Sequence, residues 1–317
     1  MTEHYTRPDV KAFLAFLNSV PGPKMHEISP AEARAQYLAM VPLGESDPHA
    51  LAVIRDLTCP GPGGDIPLRL YDARETRERG PAVVFFHGGG WVIGDLETHH
   101  ALCSDIAAAL DLPVIAVDYR LAPEHAFPAA HDDCEAAARW IAGNPEALGR
   151  KVTGLITMGD SAGGNMAIAV AEALRDKVAG VPVIMQVPLY PATDENLDHP
   201  SYSDFAEGHL LTRDSMNWFH NAYAAKPGDK RAFPLLGDHR AAPPTVLVTA
   251  SLDPIRDQGR AYAKALIDAG RDVTYMEMRG SIHGFTTLRK ALPSAQDDMH
   301  AIYGAIRLML ERNLLDA

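Results

Sequence analysis

Residues 157 to 165 read TMGDSAGGN, which sets Ser161 between Asp160 and Ala162 with glycines at 159 and 163. The apolar run GLITMG before the serine has the composition of a strand, and AGGNMAIAVAEALRDK after it that of a helix. A strand-to-helix turn this tight forces its central residue into a strained conformation and crowds the neighbouring backbone, which the two glycines relieve. The hydroxyl is thereby pushed out above the strand end. The Ala162 amide is left free where the helix dipole favours negative charge. A hydroxyl so placed can attack a carbonyl carbon, provided a base takes its proton and donors hold the oxyanion that forms.

The donors can come from FFHGGGW, residues 85 to 91, where three glycines after an apolar run let successive amides converge on one oxygen. A phosphate-cradling loop is the competing reading. It would need the lysine and Ser/Thr of a P-loop or a G-x-G-x-x-G opening a helix, and GGGWVIGD supplies neither. For the base the chain offers 14 histidines. After a nucleophile on such an elbow, the acid and then the histidine follow in the chain, which leaves His283 and His300. His300 falls within a helical pattern, whereas His283 follows the last strand on a loop, in RGSIHGF; His283 is the expected base. TVLVTASLDPIRDQG offers Asp253 and Asp257 just past a strand, and Asp257 suits the first turn of the next helix. Asp253 is the expected orienting acid.

The elements that must position these groups alternate along the chain. LAVIRDLTC, IPLRLYDA, AVVFFH, PVIAVDYR, GLITMG, PVIMQVPLY, TVLVTA and VTYMEM read as eight strands, most of the later ones continuously apolar as in a sheet buried on both faces. Helices are expected near 97–110, 128–143, 162–177, 258–269 and 294–312, which makes the fold α/β with a mostly parallel sheet. The first two strands, joined around GPGGD, suit an antiparallel start. Two segments stand outside the alternation. In residues 1–45, Phe13, Leu14, Phe16, Leu17 and Val20 suggest one amphipathic face, and Ser29, Pro30 and Glu32 form the start of a second helix with a capping box. Residues 192–242 interrupt the sheet with acidic and proline-rich loops around TRDSMNWFHNAYA, whose Met216, Phe219 and Tyr223 share one side. The expected division is a cap built from 1–45 and 192–242 on a core of 46–191 and 243–317.

Composition narrows the partners. The 317 residues carry 29 Lys and Arg against 41 Asp and Glu, a net charge of -12, which argues against phosphate backbones and anionic lipid. Three cysteines, Cys59, Cys103 and Cys134, form no C-x-x-C pair, so neither a disulfide framework nor a zinc site is expected, and a reducing cytoplasm fits. No apolar run reaches the roughly 18 residues of a membrane span. AFLAFLNSV lacks the positive flank and cleavage site of a signal peptide.

HGGGW, DYRLAPEH, GDSAGGN, DPIRDQG and HGF, in that order from about 80 to 290, closely resemble the hormone-sensitive-lipase-like (bacterial family IV) carboxylesterases of the α/β-hydrolase superfamily. The resemblance implies an α/β-hydrolase fold with a mostly parallel eight-stranded sheet and a helical cap. It also implies an oxyanion hole made by the amides of Gly89, Gly90 and Ala162, with Gly88 shaping the loop. Hydrolysis of short-chain acyl esters through an acyl-enzyme is the expected function, with no metal or cofactor. Amide or thioester hydrolysis on the same triad is the alternative. A receptor-like role is disfavoured, because receptors that resemble this family lack the histidine present here as His283. The expected partner is a small-molecule ester; no nucleic acid and no stable membrane insertion are expected, and a homodimer is left open. Trp91, Tyr190, Phe205, Leu210 and Phe285 are candidate acyl-pocket walls by their place beside the motifs. Arg120 and Glu124 suggest a structural loop pair. His131, Asp132, Asp133 and Cys134 suggest a solvated helix start, since adjacent helical positions face different directions and cannot share a metal; His99 and His100 meet the same objection.

Overall fold

The structure, a computed structural model, describes residues 4–315. Eight strands form one sheet: β1 (Val53–Gly61), β2 (Gly64–Asp72), β3 (Gly80–Phe86), β4 (Val114–Val117), β5 (Val152–Asp160), β6 (Val183–Leu189), β7 (Thr245–Leu252) and β8 (Val273–Ile282). Their spatial order is β1-β2-β4-β3-β5-β6-β7-β8. β1 pairs antiparallel with β2, and β2 antiparallel with β4; the remaining pairs are parallel. The helices are α1 (Pro8–Ser19), α2 (Pro30–Gly44), α3 (His100–Leu110), α4 (Ala129–Ala142), α5 (Ala162–Asp176), α6 (Pro200–Asp204), α7 (Arg213–Tyr223), α8 (Arg256–Asp268) and α9 (Ser294–Leu315). All eight expected strands are present, in the expected α/β-hydrolase arrangement.

The apolar runs are continuous because both faces of the sheet are covered. Val83 and Phe85 of β3 pack with Leu102 and Ile106 of α3 and with Met299 and Ile302 of α9. Ala82, Val84 and Phe86, which alternate with them, meet Ala137 and Ile141 of α4 and Met166 and Val170 of α5. β3, β5, β7 and β8 run parallel, so the chain leaves all four at the same edge of the sheet, the edge where open α/β sheets bind ligands.

Ser29 caps α2 by accepting the Glu32 amide while Glu32 reaches back, with Pro30 at the first helical position. In α1 the buried side chains are Val10 and Leu14, while Phe16 and Val20 are exposed. The inward stripe follows i, i+4 from Val10, so Phe16 and Val20 fall on the other side, a correction to the face expected from the sequence. The N-terminal segment and the insertion touch: Asn18 donates to the Gly208 carbonyl, and Met25 and Ile28 pack in one cluster with Phe219 and Trp218 of α7. The three cysteines are free and buried, and among the described residues no helix is long and apolar enough to cross a membrane.

One buried carboxyl on α5 makes stability depend on pH. Burial pushes Glu172 from the ordinary 4.5 up to about 7, against the attraction of Arg175 and Lys230. Between those values the fold binds more protons than the unfolded chain, so this contribution is fully present below about pH 4.5 and lost as pH rises through about 7. Glu172→Gln should therefore be more stable than the parent at pH 8, by at most roughly 3 kcal/mol, and equal to it at pH 4. Urea titrations at the two pH values check this; an equal gain at both would assign the effect to packing.

Candidate active site

β5 ends at Asp160 and α5 begins at Ala162, leaving Ser161 on the turn with φ 55° and ψ -116°. Such a backbone costs on the order of 1–3 kcal/mol for a residue with a Cβ, and persists only where the surroundings enforce it. The crowding is visible on both sides. A Cβ at position 163 would fall 1.9 Å from the Phe86 carbonyl oxygen, and one at 159 would fall 2.4 Å from the carbonyl oxygens of Gly163 and Phe86. Only glycine fits either place.

His283 follows β8, and its Nε2 lies 2.9 Å from Ser161 Oγ. Its Nδ1 lies 2.8 Å from Oδ2 of Asp253, which follows β7 and is fully buried. The other oxygen, Oδ1, accepts the Ile255 amide at 2.9 Å. A hydrogen bond from Nδ1–H to that carboxylate fixes the tautomer and turns the Nε2 lone pair toward the serine hydroxyl. The other candidates stand apart: His300, exposed on α9, contacts Gln296, and Asp257, in the first turn of α8, accepts the Ser201 amide and pairs with Arg256. An acid-oriented imidazole against a strained serine can move a proton off that hydroxyl as it attacks.

The glycine loop lies across the elbow. The Gly88 amide donates to Asp160 Oδ1 at 2.8 Å, whereas the amides of Gly89, Gly90 and Ala162 have no acceptor among the described residues. Gly89 and Gly90 adopt φ of 114° and 58°; a Cβ at 89 would lie 2.1 Å from the Ile93 carbonyl oxygen. Amides left without an acceptor are available to a developing oxyanion. Asp160 also lies 3.2 Å from His99 Nε2. Burial works against its ionisation, but His99, His87 and the Gly88 amide outweigh burial and hold the carboxyl below the usual range. His87, buried and stacked on Tyr119, is pushed down to about 4 by burial and by His99 beside it, and donates Nδ1–H to the Gly88 carbonyl. No spacing in the sequence links residues 87, 88, 99 and 160, so this support was not readable from it.

The expected wall residues divide. Leu210 is partly exposed, and its Cδ2 stands 3.6 Å from where a Cβ on Gly284 would be, beside His283. Tyr190 packs its ring 4.8 Å from that of His283, is buried, and hydrogen-bonds Thr286 through its hydroxyl. Phe285 lies behind Tyr190, and Phe205 is buried beneath the Arg256 guanidinium. Trp91 stacks flat on Tyr223, with ring centres 3.9 Å apart, inside the core cluster shared with α4 and α5.

Other expectations change. Arg120 and Glu124 do not pair with each other: Arg120 binds Asp133 in two contacts, and Glu124 binds Arg34 of α2. The start of α4 is not solvated, since His131, Asp133 and Cys134 are buried. His131 Nε2 meets Asn165 Oδ1 at 2.9 Å, and Asn165 Nδ2 donates at 2.8 Å to the carbonyls of Ala192 and Ala232, near the two ends of the insertion.

A family model described as the α/β-hydrolase fold matches residues 83–287. The chain is 38% identical over 272 residues to the carboxylic ester hydrolase LipN of Mycobacterium tuberculosis, covering 82% of this chain and 71% of that one. It is 33% identical over 313 residues to the ethyl acetate hydrolase of Pseudomonas putida, covering 95% and 98%. Among solved structures, LAE6, an α/β-hydrolase from the metagenome of Lake Arreo, superposes with a TM-score of 0.88 at 36% identity, covering 94% of this chain and 96% of that one. The chain belongs to the α/β-hydrolase family, among its hormone-sensitive-lipase-like carboxylic ester hydrolases.

Proposed function

We propose that this esterase hydrolyses short-chain acyl esters of small alcohols through an acyl-enzyme on Ser161. The hydrogen-bonded chain from Ser161 through His283 to Asp253 carries the reading. Ser161 Oγ attacks the ester carbonyl while His283 Nε2 takes its proton, and Asp253 stabilises the imidazolium that results. The carbonyl electron pair moves onto oxygen, where the amides of Gly89, Gly90 and Ala162 receive it. Collapse expels the alcohol, which takes the proton from His283. Water then attacks the acyl-enzyme with the same histidine as base, releasing the acid and restoring the serine.

The chain-length preference rests on the cap. Tyr202, Met216 and Ile255 cluster with Ala192 and Leu211 between the insertion and the triad, since the Ile255 amide binds Asp253 and the Ala192 amide lies 3.5 Å from the Ser161 carbonyl oxygen. Apolar side chains crowded so near the serine favour a short acyl group and keep water from the oxyanion. The name of the Pseudomonas putida relative, ethyl acetate hydrolase, agrees with this. A panel of 4-nitrophenyl esters should show acetyl to hexanoyl preferred over palmitoyl, with no jump in rate at a lipid interface. Matched amides and thioesters should turn over more slowly than the ester. A palmitoyl preference, or a faster amide, would replace this reading.

A further inference from the structure

We propose that Phe219 and Tyr223 are positioning residues for the oxyanion hole, a two-ring clamp by which helix α7 of the insertion fixes the glycine loop. The two residues stand four apart, on one face of α7, and meet two consecutive residues of the loop. Phe219 lies on Gly90: a Cβ there would fall 2.3 Å from its ring carbons. Tyr223 stacks on Trp91 with ring centres 3.9 Å apart and planes 8° apart.

Trp91 carries φ 61°, a left-handed conformation rare for a bulky side chain, directly after Gly90, whose amide is one of the three free donors. Strain of this kind is held by contacts rather than by local preference. Among the described residues the Trp91 indole nitrogen has no hydrogen-bond partner, so the side chain is fixed by ring stacking. Carbonyls of the loop complete the grip without replacing it: that of Gly89 accepts the Val92 and Ile93 amides, that of Trp91 the Ala122 amide, and that of Val92 Arg34 Nε. Without the rings the loop would relax at residues 90 and 91, and the Gly89 and Gly90 amides would turn away from the oxyanion. Binding of the ground-state ester, which leans on these amides less, would change little.

The proposal rests on Ser161 as nucleophile, and its test separates the two. An aryl trifluoromethyl ketone adds to Ser161 as a hemiketal whose oxyanion occupies the hole, so its inhibition constant reads the amides directly. Phe219→Ala and Tyr223→Ala are expected to weaken inhibition and lower kcat by about tenfold or more each, with KM within about threefold. Tyr223→Phe keeps the stack and should inhibit as the parent does, and Phe219→Leu should fall between parent and alanine variant. Ile302→Ala, a cavity on α9 in a different core cluster from Trp91, should lower Tm and leave the inhibition constant unchanged. Folded alanine variants with parental inhibition would overturn the clamp, as would an Ile302→Ala variant that loses inhibition to the same degree. Phosphonate labelling at a serine other than Ser161 would overturn instead the assignment beneath it.

Discussion

Ser161→Ala is expected to lower kcat by roughly 10^4-fold or more while leaving the thermal transition in place. The alanine removes the oxygen proposed to attack but keeps the Cβ on the strained turn, so the Gly159 and Gly163 contacts survive. His283→Gln should be as severe, because an amide fills the same space without accepting a proton at Nε2. The double variant should be no worse than either single one, since the base has no role without its nucleophile. Mass mapping after a phosphonate ester should find the adduct on Ser161. Full activity in Ser161→Ala, or parental turnover in His283→Gln, would remove the triad from the mechanism.

These groups were readable in the sequence because each is announced by its neighbours in the chain. Ser161 is flanked by glycines that its turn demands, and His283 and Asp253 each stand just past an apolar run that can only be a buried strand. The glycine loop is legible for the same reason. What was not legible is contact between distant residues. Asp160 in the elbow and His99 ahead of α3 are 61 positions apart, yet His99 Nε2 lies 3.2 Å from the carboxylate oxygen that accepts the Gly88 amide. The start of α4 looked solvated because four polar residues in a row usually are, but Asp133 is turned inward to Arg120 and His131 to Asn165. Side-chain direction within an aromatic motif is equally hidden: Trp91 follows the glycines directly, yet its left-handed backbone sends the indole to Tyr223, more than 130 positions later. Local pattern fixes elements and turns; pairing across the fold depends on how the layers meet.

Deleting residues 1–45 should abolish activity and leave a protein that aggregates. The segment is bonded into the core at three places. Arg7 binds Asp298 of α9 through two nitrogens, at 2.6 and 2.9 Å, and Asp298 is buried. Arg34 of α2 donates to the carbonyls of Val92 and Ala122, next to the glycine loop. Glu45 accepts Arg289 Nε at 2.8 Å with both groups buried, and the Lys290 and Ala291 amides donate to the Gly44 carbonyl, so α2 also grips the segment that follows His283. Removing one partner of a buried ion pair costs about 3–5 kcal/mol, because the other charge stays buried without compensation. Arg289 would keep Asp105, but Asp298 would keep no cation among the described residues. That one uncompensated loss is already a large part of the roughly 5–15 kcal/mol by which a domain is stable. The deletion also bares apolar surface, since Met25, Ile28 and Ala33 cover Val92, Ile93 and Phe219, and Val10 and Leu14 cover the sheet. The point variants Arg7→Met and Glu45→Gln should lower Tm step by step while the protein stays folded. Size-exclusion chromatography and 4-nitrophenyl acetate turnover read the deletion; a soluble truncated protein with an unchanged chain-length preference would mean that acyl selectivity comes from the core loops and the insertion alone.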